Sequence, residues 1–121
     1  MAPKRELTER EKEIFKLWIP GDILNRARIR EKAPWFLPKS FWGITLYNVI
    51  YLREYDPENI QSLSALGHEL THVRQYAEGM TIFSYLLSCK SGYLKSAYEL
   101  EAYEIQRNIR EFLGRNTSGP A

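Results

Sequence analysis

Residues 68–72 read His-Glu-Leu-Thr-His, and no other run in the chain restricts its fold as tightly. The run lies within a stretch from Glu58 to Glu78 whose residues predict one long helix. Asp56 and Pro57 announce that helix, Pro57 suiting its first position, and Gly79 stops it. On a helix the two imidazoles fall one turn apart on a single face. Leu63, Leu66, Leu70, Val73 and Ala77 make an apolar stripe centred nearly opposite them. One face is therefore expected in the core. The other presents His68 and His72 among Ala65, Gln75 and Gly79, small or polar residues that leave room for an ion, a water and a covering element.

Neutral imidazole nitrogens bind zinc at about 2.0–2.1 Å, and side chains at i and i+4 are close enough to share one tetrahedral ion. Glu69 sits about 100° round the helix, so it can lean over an open metal position without occupying it, as a general base must. At average residue usage the three-residue pattern arises by chance in roughly one of several hundred chains of this length. His68 and His72 are also the only histidines in the chain. A catalytic zinc takes three protein ligands and keeps a fourth position for water. With no third histidine, the remaining ligand must come from Cys89 or from a carboxylate of the last helix, where Glu99, Glu101 and Glu104 lie. Helical phase does not choose among them, since Glu99 and Glu101 flank the apolar stripe of Tyr98, Ala102, Ile105, Ile109 and Phe112 from opposite sides.

The rest of the chain reads as α+β. Thr8 and Glu11 stand in capping-box spacing before a short amphipathic helix that ends by Trp18, ahead of Pro20 and Gly21. Ala27 and Ile29 alternate with arginines between Ile23 and Glu31, which suits an edge strand. Pro34 and Pro38 forbid regular structure between Ala33 and Gly43, and Trp35, Phe36, Phe41 and Trp42 are expected to be partly buried there in a packed loop. Gly43 to Arg53 is the best strand, with a bulge or turn at Asn48. Helices are expected over Ile82 to Lys90 and Ser96 to Leu113. With 121 residues there is material for one core, so a single domain over 1–114 and a disordered tail over 115–121 are expected.

Charge narrows the partners. Seventeen basic and fifteen acidic residues are mixed along the chain for a net charge of +2, which offers no nucleic-acid track. Arg26, Arg28, Arg30 and Lys32 read as a solvated face. Cys89 is the only cysteine and reads as a buried thiol, so no intramolecular disulfide can form. The charged N-terminus has no apolar signal core and no apolar run is long enough to span a bilayer, which predicts a cytoplasmic protein without a membrane partner, open to export as cargo.

GITLYNVIYLR, GHELTHVRQY and YELEAYE together give the chain a family resemblance over about Ile44 to Arg107. It resembles the gluzincins, which pair HExxH with a downstream glutamate in an ExxA arrangement, and most nearly the small bacterial domain called DUF4157, the core domain of extracellular contractile injection systems. Many members of that family have aspartate where this chain has Tyr103. The resemblance implies a small zincin-like domain with a β-hairpin or small sheet, an HExxH helix and a C-terminal glutamate helix. It further implies Zn2+ on His68, His72 and Glu99, with Glu101 the alternative third ligand, and Glu69 as general base in peptide hydrolysis. Tyr98 and Tyr103 are candidates to stabilise the oxyanion, and a peptide or protein substrate could lie antiparallel beside the Ile44 to Arg53 strand. A zinc-bound, non-catalytic module that docks on a phage or secretion particle, through Trp35, Phe36 and Trp42, is the other reading.

Overall fold

The computed structural model describes residues 3–92 and 96–117. Helix α1 (Glu9–Phe15) begins with the capping box expected from its spacing, the Thr8 side chain accepting from the Glu11 amide while the Glu11 carboxylate accepts from the Thr8 amide. The mixed segment from Ile23 to Glu31, expected to hold an edge strand about Ala27 and Ile29, divides into a helix and a strand. Its first part is helix α2 (Gly21–Arg26), and only β1 (Arg28–Arg30) is extended. Ile23 and Leu24 are adjacent and both buried, which a helical turn allows and an alternating strand does not.

Gly43 to Arg53 forms a hairpin rather than one strand, with β2 (Gly43–Leu46) and β3 (Val49–Leu52) joined through Tyr47 and Asn48. The turn falls where Asn48 marked it. Tyr47 adopts a left-handed backbone (φ 58°), at a cost of order 1–3 kcal/mol, and its ring packs on Tyr76 at a centroid distance of 5.1 Å. The sheet order is β1-β3-β2, with β1 parallel to β3 and β2 on the far edge.

Helix α3 (Ile60–Ala77) starts later than expected: Asp56 and Pro57 lie in the preceding turn, and Asn59 caps it by accepting from the Ser62 amide. Gly79 follows it with φ 117°, the left-handed conformation expected of a helix stop. Helix α4 (Ile82–Ser88) runs into a 3-10 turn (Cys89–Ser91). Cys89 is only half-buried there, against its reading as a buried thiol. Helix α5 (Ala97–Thr117) extends past the expected end, so the first part of the tail read as disordered is helical; residues 118–121 lie outside the described residues. None of the described helices is long and apolar enough to cross a membrane.

One core joins the sheet to the helices. Ile29, Ile50 and Leu52 face Leu63, Leu66, Leu70 and Val73 of α3, with Phe15 of α1 and Ile109 of α5 closing the cluster. The close approach of α3 and α5 depends on Gly67. A Cβ there would stand 2.2 Å from Ile109 Cδ1 and 3.3 Å from Phe15 Cε1, and neither neighbour has any exposed surface. Overpacking of this kind costs about 1–3 kcal/mol against about 1 kcal/mol gained from alanine's helix propensity. Gly67→Ala is therefore expected to destabilise the protein by about 1 kcal/mol, read by urea denaturation. Stability equal to or above that of the parent would mean that Ile109 can move aside.

The 33–43 segment differs from expectation. Trp35 is 95% exposed, Phe36 55% and Trp42 50%, and only Leu37 is buried among the apolar residues of this stretch. Main-chain anchoring takes the place of aromatic burial: the Arg53 guanidinium donates to the carbonyls of Leu37, Pro38 and Phe41 at 3.0, 2.9 and 2.8 Å.

Candidate metal centre

Helix α3 is buried nearly all round, because the sheet covers one side and α5 the other. The face that carries His68 and His72, read from the sequence as lying away from the apolar seam, is the one that α5 closes. Both imidazoles are buried, 5% and 6% exposed. Their Nε2 atoms converge on one oxygen: His68 Nε2 lies 2.9 Å and His72 Nε2 3.2 Å from Glu99 Oε1. The second Glu99 oxygen accepts from the Tyr85 hydroxyl of α4.

Electrostatics point the same way. Burial would raise the Glu99 carboxyl, but bonds from His68, His72 and Tyr85 outweigh it and hold the group far below the usual carboxylate range. Glu99 is an anion. Burial would lower His72, whereas Glu99 and Glu69 draw its imidazole above the ordinary value. The pocket thus attracts positive charge. In a tetrahedral site with bonds of about 2.0–2.1 Å, donors stand about 3.3 Å apart, close to the separations seen here. His68, His72 and Glu99 form a group that can hold a metal ion, and their two-nitrogen, one-oxygen donor set suits a borderline cation such as zinc.

The other candidates lie elsewhere. Glu101 pairs with Arg74 at 2.8 Å and accepts from Gln75 at 2.7 Å. Glu104 is exposed, and Cys89 does not join the three donors that converge. Tyr98 stacks on Tyr85, with centroids 6.5 Å apart, and Tyr103 packs edge-on against His68 at 4.5 Å. The tyrosine aimed at the site is Tyr85, which the sequence reading missed, since no spacing rule ties α4 to the histidine pair.

Glu69 is 9% exposed, and its Oε1 accepts the Thr45 hydroxyl of β2 at 2.8 Å. Glu69, His72 and Glu99 line a cleft of about 330 Å3. Phe36, Leu37 and Phe41 wall one side, Ile82, Tyr85 and Leu86 another, and β2 runs along it. As the edge strand, β2 has no strand partner on its outer side among the described residues.

No curated protein and no solved structure is similar enough to this chain to match it. Residues 42–80, which carry β2, β3 and α3 with the two histidines and Glu69, match the family model of the eCIS core domain.

Proposed function

We propose that this protein is a zinc-dependent peptidase of the HExxH, gluzincin-like type. The observation that carries the reading is the convergence of His68, His72 and Glu99 at a cleft where Glu69 stands beside them without belonging to the donor set. Zinc, when bound, supplies Lewis acidity and makes water nucleophilic near neutral pH. With an ion held by His68, His72 and Glu99, Glu69 would act as the base that takes a proton from water and returns it to the leaving amine, and the Thr45 hydroxyl holds its carboxylate in place. The outer edge of β2 pairs with an extended substrate main chain. The Phe36–Phe41 wall and the Ile82–Leu86 wall receive its apolar side chains.

The test begins with the metal content of the purified protein, then incubation with a library of unstructured peptides rich in apolar residues, with and without a chelator. One zinc per chain and chelator-sensitive cleavage are expected. A protein that takes up no zinc would overturn the reading.

The match to the eCIS core domain, together with the exposed Trp35, Phe36 and Trp42, favours a second reading: a particle-associated module in which the metal serves structure. Stoichiometric zinc with no cleavage anywhere in the library would select it.

A further inference from the structure

Each imidazole of the candidate centre has a second nitrogen, and both of these meet a side-chain amide. His72 Nδ1 lies 2.7 Å from Gln75 Oε1, and His68 Nδ1 lies 2.8 Å from Gln106 Oε1. The orientation of Gln75 is determined by its surroundings. Its Nε2 donates to the Tyr98 carbonyl at 3.1 Å and to Glu101 Oε1 at 2.7 Å, so both amide hydrogens are used on acceptors. The oxygen is left for His72, and an amide oxygen can only accept. His72 Nδ1 must therefore be the donor. Glu101 is itself held by Arg74 at 2.8 Å, so the chain of contacts runs Arg74, Glu101, Gln75, His72. Gln106 lies two turns beyond Glu99 on the same face of α5, which brings it to His68.

We propose that Gln75 and Gln106 are positioning residues of the metal centre: each keeps a proton on Nδ1 of one imidazole, so that Nε2, the nitrogen that bonds to Glu99 Oε1, is the one each ring presents to the ion. The inference rests on the metal-centre reading above. It assigns Glu101 a role behind the histidine in place of metal ligation, and it explains why a half-exposed glutamate is tied to the buried Gln75. Orienting the far nitrogen of a ligand imidazole is worth about 10–100-fold in metal affinity.

The experiment measures Zn2+ affinity by competition with a chelator for the unmodified protein and for Gln75→Leu, Gln106→Leu, Gln106→Glu and Glu101→Ala. Each leucine variant keeps the side-chain bulk but cannot accept, and a loss of about 10–100-fold is expected. Gln106→Glu retains an acceptor in a half-buried place and is expected to bind as tightly as the parent or tighter, which loss of packing alone would not produce. Glu101→Ala is expected to weaken zinc less than Gln75→Leu. A loss as complete as that from removing Glu99 would mark Glu101 as a ligand and overturn the assignment.

Leucine variants with parental affinity would overturn this inference while leaving the peptidase reading standing. An unmodified protein that binds no zinc would overturn both. Should a leucine variant fail to fold, nitrogen-15 NMR of the zinc-loaded parent decides. Both histidines protonated on Nδ1 and coordinated through Nε2 is the expected result, and a proton on either Nε2 would refute it.

Discussion

Glu69→Gln is expected to leave zinc bound at one ion per chain while lowering the turnover of any peptide substrate by about 10²–10⁴-fold, the usual contribution of a positioned general base. The metal should stay because Glu69 is outside the group formed by His68, His72 and Glu99. The fold should stay because glutamine offers the same Oε1 to the Thr45 hydroxyl, now 2.8 Å from the carboxylate. Only the capacity to take and return a proton is removed. Metal analysis, a thermal melt and single-turnover cleavage on the same sample separate the possibilities. Turnover within a few-fold of the parent would remove Glu69 from the chemistry, and loss of zinc would make it a ligand.

Glu11→Ala is expected to cost about 3 kcal/mol of stability without touching the cleft. Glu11 is 2% exposed, yet four donors meet its carboxylate: Arg5 at 2.9 and 3.1 Å, the Tyr55 hydroxyl at 2.6 Å and the Thr8 amide at 2.8 Å. Alanine would strand the Arg5 charge and the Tyr55 hydroxyl and undo the α1 capping box. Arg5 keeps some contact with solvent and with Glu31, so the effect belongs at the lower end of the range for a broken buried pair.

The pH dependence of that effect has a definite sign. Burial alone would raise the Glu11 carboxyl, but the bonds from Arg5, Tyr55 and Thr8 outweigh it and hold it below the ordinary 4.5. A carboxyl depressed on folding contributes its stability in full above its unfolded value and loses it as pH falls through the folded one. Urea unfolding of parent and Glu11→Gln should therefore differ most near neutral pH and draw together as acidification from the ordinary 4.5 carries the solution through the lowered folded value. A gap that stays constant across that range would show that the ion pair is not its source.

What the sequence made legible was mostly local. The capping box of α1, the turn at Asn48 and the α3 helix follow from residues within a few positions of one another. Glu99 was reached through resemblance, since helical phase left it level with Glu101. The structure separates the two, placing Glu99 by the imidazoles and Glu101 by Arg74.

Where the reading went astray, distant partners decided the outcome. Ile23 and Leu24 turn helical because both meet the shared core, while the expected edge strand finds its partner in β3, about twenty residues on. The loop that carries the exposed Trp35, Phe36 and Trp42 is held through its carbonyls by Arg53, a role that arginine's own neighbours do not signal. Tyr85 enters the site from α4, whose sequence carries no motif, and Gln106 from two turns beyond the Glu99 motif of α5.

His68 and Glu99 are 31 positions apart along the chain, and His72 and Glu99 are 27. An ion gripped by all three is also a clasp between two remote stretches of backbone, closing a loop whose entropy is worth about 3 kcal/mol. Loading the cation and fastening α5 would then be a single event. Stripping it should register first as quickened amide exchange along that helix, while the sheet beneath holds its protons.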